Sequence, residues 1–261
     1  MDKNLQNLME IMRALRSEQG CPWDREQTHM SLRPYAIEEA YEVAEAVLSG
    51  QKEALIDELG DLLLQVVFHA VIGEEAGQFG IEDVIAAISN KMLRRHPHVF
   101  AEEEAESSQD VVDLWEEIKA QERQGQTKGA LDGVTKGLPA LMEANKLQSK
   151  AAKVGFDWPA LDGVWDKVQE EQGEIKQALE QAQAKEKIQE EVGDLLFAVV
   201  NLARFLDIEP ETALLQANNK FKTRFAYMEA EALKNHTELK QLDLEAQEEL
   251  WQKAKKHLPK N

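Results

Sequence analysis

Residues 57–67 read DELGDLLLQVV and residues 190–200 read EEVGDLLFAVV: acids first, then an apolar run, repeated half a chain apart. The likeness spreads outward from this pair. EEAYEVAEAV from Glu38 matches EEQGEIKQAL from Glu170, and DELGDLLLQVVFHA matches EEVGDLLFAVVNLA, at offsets of 132 and 133 residues. NKMLRR from Asn90 resembles NKFKTR from Asn219, and LWEEIK from Leu114 resembles LWQKAK from Leu250. Four blocks in one order describe a duplicated domain, with a period far too long for a solenoid.

Apolar residues recur at three- and four-residue spacings almost throughout, and Ala, Leu, Glu, Gln and Lys dominate while β-branched alternation is scarce. This predicts an all-α chain of two tandem homologous helical bundles, residues 1–121 and 140–261. The stretch ERQGQTKGALDGVTKGLP at 122–139, Gly-rich, polar and the least periodic, is expected to link them. Each half is long enough to close its own core. Pro22, Pro34, Pro97, Pro139, Pro159, Pro210 and Pro259 are expected between helices or in first turns, with none inside a strong helix.

Composition narrows the function. In 261 residues, 49 acidic side chains outnumber 30 basic ones, leaving a formal charge of −19 that repels a nucleic-acid backbone over most of the surface. A polyanionic small ligand would need a local cation and a few placed Lys or Arg to reverse that field. Cys21 is the sole cysteine, so no intramolecular disulfide forms. The first twenty residues carry charges throughout and no stretch approaches a membrane span, so a soluble, cytoplasmic protein without nucleic-acid or membrane partners is expected.

The repeated acids fall on one seam. At about 100° per residue, Glu171 and Glu174 share a stripe with Ile175 and Ala178, while Glu191 and Asp194 share one with Leu195, Ala198 and Leu202. The N-terminal copy repeats the phase, with Glu39 and Glu42 above Val43 and Ala46, and Glu58 and Asp61 above Leu62. Ser49-Gly50 is a helix stop, so the two segments form an antiparallel hairpin with both acid pairs eight to eleven residues from Gly50. At a rise of ~1.5 Å per residue the pairs lie level, about 12 to 17 Å from the turn. Four carboxylates on a partly buried seam repel one another unless a cation neutralises them, and an all-oxygen donor set suits Mg²⁺ or Mn²⁺.

Glu-Glu-x-x-Glu followed by Glu-x-x-Asp, here EEAYE with ELGD and EEQGE with EVGD, resembles the MazG family of nucleoside triphosphate pyrophosphohydrolases. GCPWDREQT at 20–28, RRHPHVFA at 94–101 and VGFDW at 154–158 are similar to signature stretches of its two-domain members, and the likeness covers nearly the whole chain. The resemblance implies bundles of the all-α NTP pyrophosphatase type that dimerise. It implies Mg²⁺ on Glu171, Glu174, Glu191 and Asp194, with a possible second site at Glu39, Glu42, Glu58 and Asp61. The implied reaction is attack of water on the α-phosphorus of a nucleoside triphosphate, releasing the monophosphate and pyrophosphate, in nucleotide-pool control or sanitation.

Charge compensation has candidates. Lys220 and Arg224 are four apart on one helix face, and Trp251 and Lys255 repeat the spacing near the C-terminus, where a ring could stack on a base. Lys167 and Lys187 each stand four residues before a candidate ligand, Glu171 and Glu191. By resemblance these six positions contact nucleotide. Lys91, Arg95, Trp115 and Lys119 occupy matching places in the N-terminal copy, but Pro97 should end the helix presenting Lys91 and Arg95. The C-terminal half is therefore the expected main catalytic site. His96 and His98 read as loop residues, Cys21 as a structural thiol and EEEAE at 102–106 as a solvated run. A di-iron bundle would need two Glu-x-x-His pairs, and the chain has one, Glu26 to His29. The alternative function is a non-catalytic Mg²⁺- or nucleotide-sensing helical protein acting through protein partners.

Overall fold

The computed structural model describes residues 4–101, 103, 105–122 and 129–257, and every regular element among them is helical. The chain divides into two compact units, Met1–Thr127 and Lys128–Asn261. The division falls inside the Gly-rich stretch 122–139, of which residues 123–128 lie outside the described part, as do Glu102 and Glu104 of the acidic run. No helix among the described residues is long and apolar enough to cross a membrane.

In the first unit α1 (Leu5–Arg16), α2 (Pro22–Glu26), α3 (His29–Ser49) and α4 (Lys52–Glu75) precede α5 (Ile81–Arg95), α6 (Pro97–Phe100) and α7 (Ser108–Glu122). The α3–α4 hairpin is its frame. Thr28 caps α3 by accepting from the Ser31 backbone, and the Ser31 hydroxyl accepts in return from the Thr28 N–H, at 3.1 and 2.9 Å. Gly50 ends the helix at φ +66°, a left-handed conformation that a side chain would strain. Beneath the hairpin, α1 lays Met9 and Met12 against Val67, Phe68, Ala70 and Val71 of α4, all essentially buried.

One expectation fails here. Pro34 lies inside α3, as its sixth residue. It removes the N–H that would bond the Met30 carbonyl, but Pro34 is exposed and stands in the second turn, so the missing bond falls in the wet part of the helix. The other described prolines stand at first turns or between helices.

The second unit runs α8 (Ala140–Lys153), α9 (Leu161–Glu180), α10 (Lys185–Phe205) and α11 (Pro210–Lys234), then a 3₁₀ turn at Leu239–Gln241 and α12 (Leu244–His257). Its frame is again a hairpin, α9–α10, turned through Ala182 at φ +47°. α8 packs on both α10 and α11, and α12 packs on α11 around Met228, Ala232 and Leu250.

Replacing Gly50 by Ala should lower the unfolding free energy by about 1 kcal/mol in a urea titration, with helix content unchanged, because the left-handed turn then carries a Cβ.

Candidate active site

In the second unit one carboxylate oxygen from each of Glu171, Glu191 and Asp194 lies within 4.8 Å of the other two. α9 supplies Glu171 and α10 the other two, at matching heights of the hairpin. Glu171 and Glu191 are only 3 % and 5 % exposed, an environment that penalises two adjacent negative charges. Lysines answer one flank. The Lys167 ammonium lies 2.6 Å from Glu171 and 3.0 Å from Glu170, and that of Lys187 lies 2.8 Å from Glu191 and 3.2 Å from Glu190. The hydrogen bond from Lys187 holds the Glu191 carboxyl below its ordinary range. Glu174 joins by a hydrogen bond to Glu191, which, followed by burial, pushes its own pKa up.

Lys167 and Lys187, expected to contact nucleotide, thus bind the acids themselves. They leave one group unanswered: Glu171 Oε2 is buried with no partner. An orphaned carboxylate oxygen inside an all-oxygen cluster is what a hard divalent cation would occupy, so the residues fit such an ion.

The first unit shows the same cluster without its lysines. Glu39, Glu58 and Asp61 gather within the same 4.8 Å, but Tyr35 and Ala54 stand where the other copy has Lys167 and Lys187. The acids respond accordingly. Burial, then the Asp61 charge and a hydrogen bond with Glu42, push Glu39 up, and burial, then Glu42 and Asp61, do the same to Glu58.

The remaining candidates form a second group on α11 and α12. The Arg224 guanidinium sits over the Trp251 ring at 5.5 Å and the Lys255 ammonium at 5.8 Å, while Phe221 tilts against the same ring at 5.4 Å. Lys220 stands one turn before Arg224 on α11. Phe221, which also stacks on Phe225, carried no signal in the sequence beyond its place in NKFKTR.

The matching corner of the first unit is built differently. α5 stops at Arg95, whose guanidinium is 2.7 Å from Glu122 while Arg94 holds the other oxygen at 2.6 Å. Those two hydrogen bonds, Arg95 first, bring Glu122 down to about 2. Trp115 and His96 pack edge to face at 5.2 Å, and His96 bonds the Met92 carbonyl at the junction of α5 and α6.

Comparison with known proteins follows the geometry. A MazG nucleotide pyrophosphohydrolase domain matches residues 27–100 and again 163–228. Over 255 residues the chain is 48% identical to the nucleoside triphosphate pyrophosphohydrolase of Escherichia coli (strain K12), covering 97% of both chains. The chain belongs to the MazG family. It is an enzyme of that pyrophosphohydrolase class. A second MazG relative, named a nucleoside triphosphate pyrophosphohydrolase/pyrophosphatase, comes from Thermotoga maritima, with 46% identity over 96% of this chain and 95% of its own. The protein YabN of Bacillus subtilis is 49% identical over 94% of this chain but 50% of its own length. The two MazG matches enclose both acid clusters, Lys220 and Arg224, and stop before Trp251 and Lys255.

Glu39 and Glu58 bind protons more tightly folded than unfolded. The cation-free first unit should therefore lose stability as pH rises from the ordinary carboxylate range, near ~4.3, through their raised values. Thermal scans at pH 5 and pH 7, read as the difference between wild type and Glu39→Gln so that the opposite contribution of the lowered His69 cancels, should show that fall, and added Mg²⁺ at pH 7 should reduce it.

Proposed function

We propose that the enzyme hydrolyses nucleoside triphosphates of broad base and sugar type at the α-phosphorus, giving monophosphate and pyrophosphate, mainly in its C-terminal unit. The observation that carries this reading is the cluster of Glu171, Glu191 and Asp194, with one oxygen of each within 4.8 Å of the others, in which the buried Glu171 Oε2 has no partner. The names of the Escherichia coli and Thermotoga maritima relatives support the reaction class.

Glu171, Glu174, Glu191 and Asp194 would hold Mg²⁺, or Mn²⁺ in its place. When bound, the ion supplies positive charge for the triphosphate and lowers the pKa of a water nucleophile. The chain's own groups do the rest. Lys167 and Lys187, with side chains 38% and 45% exposed, pair with Glu171 and Glu191 and can turn toward an incoming phosphate. Lys220 offers a point charge and Arg224 a fork for phosphate oxygens. Trp251, flanked by Arg224, Lys255 and Phe221, offers a face for a base.

In the first unit Glu122 takes Arg95, the counterpart of Arg224, and His96 packs edge to face with Trp115, the counterpart of Trp251. We assign Glu39, Glu42, Glu58 and Asp61 a secondary cation site, and the cellular role to nucleotide-pool control in the cytoplasm.

Leu179, Val192, Leu196, Phe197 and Val199 of the α9–α10 hairpin are exposed, as are Ile56, Leu59, Leu63 and Val66 of α4. Apolar surface of that extent on a frame helix suits a second copy of the chain, so the working form is a homodimer. Sedimentation at micromolar concentration should give twice the chain mass, and the mass of one chain would remove this part of the proposal.

With Mg²⁺ and a panel of canonical and damaged triphosphates, wild type should release pyrophosphate. Glu174→Ala should cut the rate at least about 100-fold and Glu42→Ala should not. Trp251→Ala should raise KM with kcat nearly unchanged, the mark of lost uniform binding. Orthophosphate as the sole product, or equal loss in both acid variants, would sink the reading.

A further inference from the structure

Beside the acids and the cation–aromatic group, α8 holds polar atoms that neither uses. Gln148 is 8% exposed, and its Nε2 donates to the Phe197 carbonyl of α10 at 2.8 Å. That bond fixes the amide's orientation, so Oε1 is an acceptor with no alternative flip, and it is buried without a partner. One turn earlier on the same face, the Oδ1 of half-buried Asn145 is likewise buried and unpartnered.

The chain carries its own control. Leu8-Met9-Glu10 on α1 repeats as Leu141-Met142-Glu143 on α8, a further block at the 133-residue offset. In that register Met12 stands for Asn145 and Leu15 for Gln148. α1 packs on α4 as α8 packs on α10, and Met12 there is 2% exposed core. The fold thus closes with an apolar side chain at the Asn145 position, while Leu15, at the Gln148 position, stays 36% exposed. Two amide oxygens buried without donors make the second unit less stable than that alternative, unless a ligand completes them.

Their place suggests which ligand. Phe197 lies one turn beyond Asp194 on α10, and α8 is the helix that touches both α10, which bears acids, and α11, which bears Lys220, Phe221 and Arg224. Neutral amide oxygens repel phosphate oxygens, and the carboxylates a turn away outcompete them for a cation. What remains of a nucleotide is its nucleoside, whose exocyclic amines and sugar hydroxyls are neutral donors.

We infer that Asn145 and Gln148 are specificity-determining residues of the C-terminal unit, accepting hydrogen bonds from neutral donors of the bound nucleoside. This rests on the triphosphate reading above and names the part of the substrate that α8 would read.

The test is binding of the α,β-methylene analogue of ATP, with Mg²⁺, against counterparts lacking the 6-amino, 2′-hydroxyl or 3′-hydroxyl group. Wild type should lose about tenfold in affinity on removal of at least one donor, and which one separates base from sugar. Gln148→Leu and Asn145→Met, which borrow the first unit's own residues, should each shrink a loss to about twofold or less while urea unfolding stays cooperative. Equal binding of all four analogues by wild type, or variants that weaken all four alike, would overturn the inference and leave Gln148 as a clasp between helices. Turnover of the natural triphosphates, measured in parallel, separates the two readings. Discrimination without hydrolysis removes the reaction alone, hydrolysis without discrimination removes this inference alone, and no binding of any analogue removes both.

Discussion

Repulsion among carboxylates sets the terms for both halves of this protein. Three acids within 4.8 Å of one another, two of them nearly buried, would be dismantled by any fold that could rotate them into water. The hairpin prevents this, because the face bearing Glu171 continues into Ala178 and the face bearing Glu191 into Ala198, both buried. Turning the acids outward would turn the core outward. The charge therefore has to be met in place, and the two units meet it differently: in the second, Lys167 and Lys187 pair with two of the acids, while in the first, burial lifts the affinity of Glu39 and Glu58 for protons.

That contrast separates two tasks that an acid cluster on a helix pair can perform. A carboxylate held low, as Glu191 is by Lys187, offers a cation less competition from protons than carboxylates that are raised, as Glu39, Glu58 and Glu174 are. The corner formed by α11 and α12 follows the same division. Arg224 keeps its charge available over an aromatic ring, and Arg95 is closed into an ion pair with Glu122. Duplication preserved the helices and redistributed the charges around them.

Much of this was legible in the chain before any fold was seen. A 3.6-residue period and a Ser-Gly stop suffice for a hairpin, and counting from Gly50 puts Glu39, Glu42, Glu58 and Asp61 at one height, since both quantities are local. Pairings between side chains were harder. Lys167 and Lys187 sit four residues before acids, a spacing that serves equally for an intrahelical ion pair or a ligand contact, and the choice depends on how deeply Glu171 and Glu191 are buried. Pro34 misled because a proline rule cannot tell an exposed second turn from a buried one. Asn145 and Gln148 look like ordinary polar positions of an amphipathic helix, and only the packing of α8 on α10 leaves their oxygens without donors.

The hairpin turns carry a further meaning for how such a chain can change length. Glu58 follows Glu42 by sixteen positions, and Glu191 follows Glu174 by seventeen. The extra residue is absorbed at the turn, where the link grows by two residues, from Gly50-Gln51 to 181–184, while α9 ends one residue sooner after Glu174 than α3 does after Glu42, and the acids keep their level. An insertion within either helix would swing everything beyond it by about 100° and scatter the cluster. The turn is thus the hairpin's expansion joint: the drift between the two copies collected where the backbone could take it up, and the span from acid to core in each helix kept its length.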